Sequence, residues 1–399
     1  MSRSRLVRTA LLLAAVTVLA GCAAGARAAP DWRPQPSFSG DGPDRTLVPA
    51  LPAPGRDARG GPHGGGTSPS HAPSSPSSTQ PADPAVVAAH LAAPVGLTLL
   101  PDGTALVGER TTGRIVDVQP QPGMPVRTVR TLTGLDAGGD GGLLDLALSP
   151  NYFQDSLIFA YVTTPTDNRV ITFTLTGPAT PVITGIPKGG TGNAGRIAFG
   201  ADGDLYVATG DAGDPALAAD PNSLAGKVLR ITDIGTPAPG NPDPASPVFA
   251  SGSPGMAGLC ADASTVVAVS ADRVDLVLAG ASYGWPAAEP GDSAAIGTLP
   301  AGRRAAGGCA LMGGSLYVTS LDGRALLAAT FGRDGTAVKL GDFQATLVNR
   351  YGRLRTVVAA PDGALWLTTS NTDGRGTPAP DDERVLRIVP SGGAGTNPA

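Results

Sequence analysis

Four stretches of this chain are variations on one module: GLTLLPDGTALVGE from Gly96, GRIAFGADGDLYVAT from Gly195, GCALMGGSLYVTS from Gly308 and LRTVVAAPDGALWLTT from Leu354. Each reads as a short apolar strand, a turn on Asp-Gly or Gly-Gly, and a second strand of the Leu-x-Val type. The glycine is informative because a tight hairpin turn demands positive φ. Two looser copies, GGLLDLALSPNYFQDSLIFAYVTT from Gly141 and GMAGLCADASTVVAVS from Gly255, fill the intervals. Six copies at spacings of about 45–60 residues match the length of a propeller blade. A closed ring of blades also leaves few exposed strand edges. The expected fold class is therefore all-β, a six-bladed β-propeller over residues 84–399. A pair of sandwiches would leave the repeated turn unexplained. Sustained helical periodicity is almost absent, and DPALAADPNSLAGKVLRI is the best candidate for a helical turn.

The N-terminus speaks to compartment. MSRSRLVRTALLLAAVTVLAGC carries Arg3, Arg5 and Arg8, then an apolar run from Ala10 to Ala20. That run is too short to cross about 30 Å of hydrocarbon, so it reads as a secretory signal. Its Leu-Ala-Gly-Cys ending is similar to a bacterial lipobox, which implies cleavage after residue 21 and lipid on Cys22. Two acyl chains suffice for stable anchoring, so the expected location is the outer face of the cell membrane. Residues 22–83 are rich in Pro, Gly, Ser and Ala and have little to bury, the composition of a disordered linker. His63 and His71 sit in that linker without partners at metal-ligand spacing.

The remaining chain is poor in charge and aromatics and slightly acidic, with 29 Lys and Arg against 33 Asp and Glu overall. That balance excludes the basic face a nucleic-acid partner requires. Cys260 and Cys309 fall at the starts of successive modules, on strands expected to be neighbours around the ring. In an exported protein a disulfide is the natural reading; two buried thiols are the alternative. The stretch GDAGDPALAADPNS offers Asp211, Asp214, Asp220 and Asn222 as calcium ligands, but such residues are equally turn and cap formers.

GDGGLLDLALSPNY, GRIAFGADGDLYVATGD, LAGKVLRI, AGASYGWP and GRLRTVVAAPDGALWL, in that order, resemble successive landmarks of the glucose/sorbosone dehydrogenase family. Other stretches, including TPTDNRV and TGIPKGG, are similar to its actinobacterial lipoprotein members. The resemblance implies a six-bladed propeller that oxidises sugars with pyrroloquinoline quinone (PQQ) and calcium. Such chemistry needs a base for the hydroxyl proton, and imidazole suits it. The family's histidine position falls here on Gly192, and the chain's third histidine, His90, lies where the propeller begins. Asp140 is the candidate substitute base, with Asp145 and Asp211 as other carboxylates near turns.

Further departures follow from the same resemblance. Where the family has Gly-His-Arg-Asn to hold the quinone's anionic edge, this chain has Gly252-Ser253-Pro254-Gly255. The calcium-binding turn is shortened to AVSADRVDLV, leaving Asp272 and Asp275. A basic position of the fifth blade becomes SLDGR, with Asp322 and Arg324. Arg353 and Arg355 survive as candidate cofactor-binding residues, two apart on one strand and so on one face. An ion pair with Asp373 or Asp382 is the competing reading. Two functions are expected to compete: an envelope module binding a sugar, a cell-wall fragment or an envelope protein, and a PQQ-dependent sugar dehydrogenase with a non-histidine base.

Overall fold

The computed structural model describes residues 83–390. Cys22, the signal segment, and the linker up to residue 82 with His63 and His71 lie outside the described residues. Six antiparallel sheets follow one another along the chain, each a blade of at least four strands. Blade 1 comprises Pro94–Leu99, Ala105–Glu109, Arg114–Val118 and Arg127–Thr131. Blade 2 comprises Leu143–Leu148, Ile158–Thr163, Asn168–Phe173 and Thr180–Ile186, with the one-turn helix Tyr152–Asp155 in its first hairpin. Blade 3 comprises Ala194–Phe199, Leu205–Thr209, Lys227–Ile231 and Val248–Ser251. Blade 4 comprises Gly258–Ala261, Val266–Ser270, Arg273–Leu276 and Gly297–Thr298. Blade 5 opens with Ala306–Met312, Ser315–Ser320 and Ala325–Asp334, and two short strands, Ala337–Leu340 and Gln344–Thr346, share its outer edge. Blade 6 is Leu354–Ala359, Leu365–Thr369 and Val385–Ile388, and its fourth strand is Val86–Ala88 from the start of the domain. The ring thus closes by pairing its two ends.

The six repeated modules are the first two strands of the six blades. The Asp-Gly turns behave as expected, with Gly103, Gly203 and Gly363 all at positive φ. The core is divided among six apolar clusters, one at each seam between neighbouring blades. Leu106 and Ile115 of blade 1 meet Leu143 and Ile158 of blade 2, for example, all fully buried. The second strands, such as Ala105–Glu109, Ile158–Thr163, Leu205–Thr209 and Leu365–Thr369, are buried on both faces because each face packs against a different blade. At the seam of blades 4 and 5, Cys260 and Cys309 form the expected disulfide, with Cα atoms 5.7 Å apart. The helical turn expected in DPALAADPNS is the short helix Pro215–Ala219, where Asp214 caps the N-terminus and Pro215 occupies its first turn.

Candidate functional site at the channel mouth

The first strands of five blades carry a bulge at the same end, seen as a register shift at Pro94/Gly96, Leu143/Asp145, Ala194/Arg196, Ala306/Gly308 and Leu354/Val357. Bulges re-aim side chains, and here they place Asp145, Arg196 and Thr356 about the central axis. Arg196 is buried and reaches across the ring. Its Nε donates to Ala257 O of blade 4 at 2.7 Å, and Nη2 to Gly307 O of blade 5 at 2.7 Å. Its Nη1 lies 3.6 Å from Asp145 Oδ1 of blade 2 and 3.5 Å from Thr356 Oγ1 of blade 6. Thr356 donates onward to Val95 O of blade 1 at 2.5 Å. One guanidinium thus connects, directly or through Thr356, all six blades.

Asp145 accepts from the backbone N–H of Leu146 and of Ile197, each at 3.0 Å. Burial outweighs these partners and raises its pKa to about 6. With two backbone donors and Arg196 it is a part of the hub, not a free base. Asp140 is likewise occupied: it accepts from Gly192 N at 2.7 Å, Asn193 N at 3.4 Å and the Asn193 side-chain amide. Asn193 is fully buried and is held in turn by the Asn168 amide at 3.0 Å and Gly189 N at 3.0 Å. These bonds form the floor of the loop that enters blade 3.

Gly192 has φ +75°, and a Cβ there would lie 2.5 Å from Asp211 Oδ1 and 2.6 Å from Gly213 N. The loop from Asp211 to Gly213 fills the space a side chain at 192 would need. Asp211 is buried and accepts from Gly213 N at 2.9 Å. Asp214 caps the short helix through Ala216 N, and Asp220 accepts from Asn222 N at 2.8 Å. Asp214 and Asp220 are therefore turn and cap formers in this fold. His90 is exposed in the connection from the outer strand of blade 6 to blade 1.

The two candidate cofactor-binding arginines have different surroundings. Arg353 pairs with Asp322 at 2.7 Å and Asp373 at 3.2 Å, with a side chain 5% exposed. The ion pair with Asp373 is one of the two alternatives read from the sequence; Asp382 pairs with Arg384 instead. Among the described residues, Arg355 forms no ion pair and its buried Nε has no hydrogen-bond partner. Burial, Arg196 and Arg110 push its pKa down to about 10 against the pull of Asp373. An arginine remains protonated at that value, so Arg355 is a charged group with its charge poorly compensated.

These residues test the implied cofactor. PQQ carries three carboxylates, which call for several charge-assisted donors. Arg196 is committed to the hub, Arg110 to Gly139 O and Gly141 O, and Arg353 to two aspartates. Ser253 turns its hydroxyl to Gly255 N, and the Gly252–Gly255 stretch adds no cation. The mouth fits one carboxylate through Arg355 rather than three. Among the described residues, no three His, Cys, Asp or Glu side chains converge as a metal site.

A six-bladed ring with a polar hub and a cationic mouth defines a class of propeller. Within that class the chain belongs to the glucose/sorbosone dehydrogenase family, whose sequence model matches residues 91–308. The PQQ-bound aldose sugar dehydrogenase of Streptomyces coelicolor is 38% identical, with a TM-score of 0.71 over 76% of this chain and 95% of that one. A putative oxidoreductase (glucose dehydrogenase) of Thermus thermophilus is 36% identical, with a TM-score of 0.69 over 76% and 98%. Quinoprotein glucose dehydrogenase B of Acinetobacter calcoaceticus is 28% identical over 251 residues, 51% of this chain and 52% of that protein. The chain thus spans about half the length of that curated relative.

Two features of the site have no local sequence signal. The reach of Arg196 depends on partners 61, 111 and 160 residues away. Asp322, which occupies Arg353, lies 31 residues before it, on another blade. The Asn168–Asn193 pair is equally remote in sequence, and only the Gly-Asn-Ala-Gly-Arg run hinted that this loop is special.

Proposed function

We propose that the chain is exported, lipid-anchored through Cys22 at the outer face of the cell membrane, and serves the envelope as a ligand-binding propeller without the family's sugar-oxidising chemistry. In this reading it belongs with the family's actinobacterial lipoprotein members. The observation that carries the proposal is the closed space at Gly192, where Asp211 Oδ1 would stand 2.5 Å from any Cβ. A histidine base has no room there without moving the Asp211–Gly213 loop. The nearby carboxylates Asp140 and Asp145 are engaged by backbone and amide donors. Among the described residues at the mouth, Arg355 is the uncommitted cation, so the ligand is one that presents a carboxylate or phosphate: an acidic sugar, a cell-wall fragment or an acidic segment of an envelope protein.

The second reading is an active PQQ-dependent sugar dehydrogenase using calcium and a carboxylate base. It is favoured by the 38% identity to the PQQ-bound Streptomyces enzyme and by the uncompensated Arg355. Asp211 would then be the base to test, since it accepts a single hydrogen bond from Gly213 N. Calorimetric titration of the protein with PQQ and calcium, followed by a dye-linked assay on aldoses, separates the readings. The binding-module proposal expects no saturation at millimolar PQQ and no turnover. Saturable one-to-one binding in the micromolar range with sugar-dependent dye reduction would overturn it.

A further inference from the structure

On the loops around the mouth, the charges without an opposite partner are sorted by blade. Over blades 2 and 3 they are carboxylates: Asp140, Asp211, Asp214 and Asp220 accept from backbone N–H groups and form no ion pair within the described residues. Over blades 5 and 6 they are cations. Arg303, Arg324 and Arg375 form no ion pair within the described residues, because Asp322 and Asp373 are taken by Arg353. Arg324 and Arg375 are exposed. Arg304 and Arg350 are exposed as well and carry one ion pair each, at 3.3 Å to Asp272 and 3.0 Å to Asp83. Exposed pairs of this kind are weak, so both guanidiniums can turn to another anion.

These arginines share one patch. Arg303 donates to Gly323 O beside Arg324, and Arg324 O accepts from Asn349 N beside Arg350 at 2.8 Å. Arg324 and Arg350 line one cavity with Thr377, two residues from Arg375. Val348, 40% exposed, lies in the same loop as Arg350. Among the described residues it is the large apolar side chain exposed at this end of the ring; the others, such as Phe153 and Ile234, lie at the end away from the mouth. The chain also enters the ring here. Asp83, the first described residue, accepts from Arg350 Nη2 at 3.0 Å and from the Tyr351 hydroxyl at 2.9 Å. What precedes residue 83 therefore joins the domain at the cationic patch.

We infer that the side of the ring over blades 5 and 6 docks on an anionic lipid surface, with its exposed arginines on headgroup phosphates and Val348 at the acyl boundary. The inference rests on the proposed lipid anchor at Cys22 and adds an orientation to it. Arginines around an exposed apolar side chain have the composition of an interfacial contact. A folded protein partner fits less well, since the patch exposes no aromatic anchor. The chain leading to the anchor ends inside the patch, so docking is intramolecular and needs few contacts. The unpaired carboxylates of blades 2 and 3 are repelled by the same surface. The ring therefore meets the bilayer by one side, and its mouth stays open.

The test uses the lipidated protein with Val348→Cys carrying a fluorophore, on vesicles of brominated phosphatidylcholine with or without phosphatidylglycerol. Phe153→Cys, 84% exposed at the opposite end of the ring, carries the control label. Cys260 and Cys309 are bonded to each other, and Cys22 is acylated in the anchored protein, so each label is unique. Flotation with the vesicles reads the anchor, and quenching by the brominated chains reads the docking. The label at Val348 is expected to be quenched on phosphatidylglycerol vesicles and not on uncharged ones, with the label at Phe153 unquenched on both. Ionic strength of about 1 M, where the Debye length is about 3 Å, is expected to release the Val348 label while the protein still floats. Arg304→Gln, Arg324→Gln and Arg375→Gln together are expected to lower the docked-to-undocked ratio roughly fivefold for each arginine removed. A floating protein whose Val348 label is unquenched, or quenched equally on uncharged vesicles, would overturn the inference and leave the anchor standing. Quenching at Phe153 in place of Val348 would put the opposite face on the bilayer and also overturn it. A protein that does not float overturns the anchor, and the inference with it.

Discussion

Asp145 is a carboxylate for which burial wins over three favourable partners, and its titration should be visible in stability. Its pKa rises from 3.8 to about 6 on folding. Between those values the native state holds more protons than the unfolded state, so its contribution to stability is greatest below about pH 4 and is lost as pH rises through 6. A shift of about two units corresponds to roughly 3 kcal/mol. In urea unfolding at pH 4 and pH 7, wild type should lose on the order of 2–3 kcal/mol relative to Asp145→Asn across that interval. Carboxylates such as Asp136, held low by Lys188, act in the opposite sense in both proteins and cancel in the comparison. A pH-independent difference would mean that Asp145 stays ionised in the hub. At this scale the sequence was least informative. That Asp145 and Arg196 would face each other follows from a bulge repeated on separate blades, and no local pattern announces it.

The hairpins were the most legible elements, because a turn that needs positive φ leaves Asp-Gly or Gly-Gly behind, and apolar alternation brackets it. The helix at Pro215–Ala219 was legible for the same kind of reason, an Asp cap followed by proline. The divided outer edge of blade 5 was not. Ala337–Leu340 and Gln344–Thr346 are short and mostly exposed, so they carry no apolar rhythm to read. Among the covalent features, the Cys260–Cys309 bridge joins the first strands of blades 4 and 5 across 49 residues. Chain-entropy arguments put such a link at about 4 kcal/mol. Replacing both cysteines with alanine should lower the unfolding free energy by about that amount. The loss should be local. Amide exchange should quicken in Gly258–Ala261 and Ala306–Met312 and remain unchanged in blade 1. A uniform increase across all blades would show that the seams do not open independently.

For the whole molecule, the count and order of blades were readable from repetition, and family membership from the ordered landmarks that resemble it. The way the ring closes was not, since Val86–Ala88 is three residues long and its partner Val385–Ile388 is at the opposite end of the sequence. Removing residues 84–90 should strip Val87 and Ala88 from the seam of blades 6 and 1 and bare the edge of Val385–Ile388. An uncovered edge invites pairing with a second chain. The expected outcome is a lower, broader thermal transition together with concentration-dependent association in sedimentation; an unchanged sharp transition of a monomer would refute it. The same closure also has a consequence in time. The ribosome makes Val86–Ala88 before any other strand of the ring and Val385–Ile388 after all of them. The earliest strand must therefore wait, unpartnered, for the latest, and a chain interrupted anywhere in blade 6 remains an open horseshoe however well its first five blades have folded.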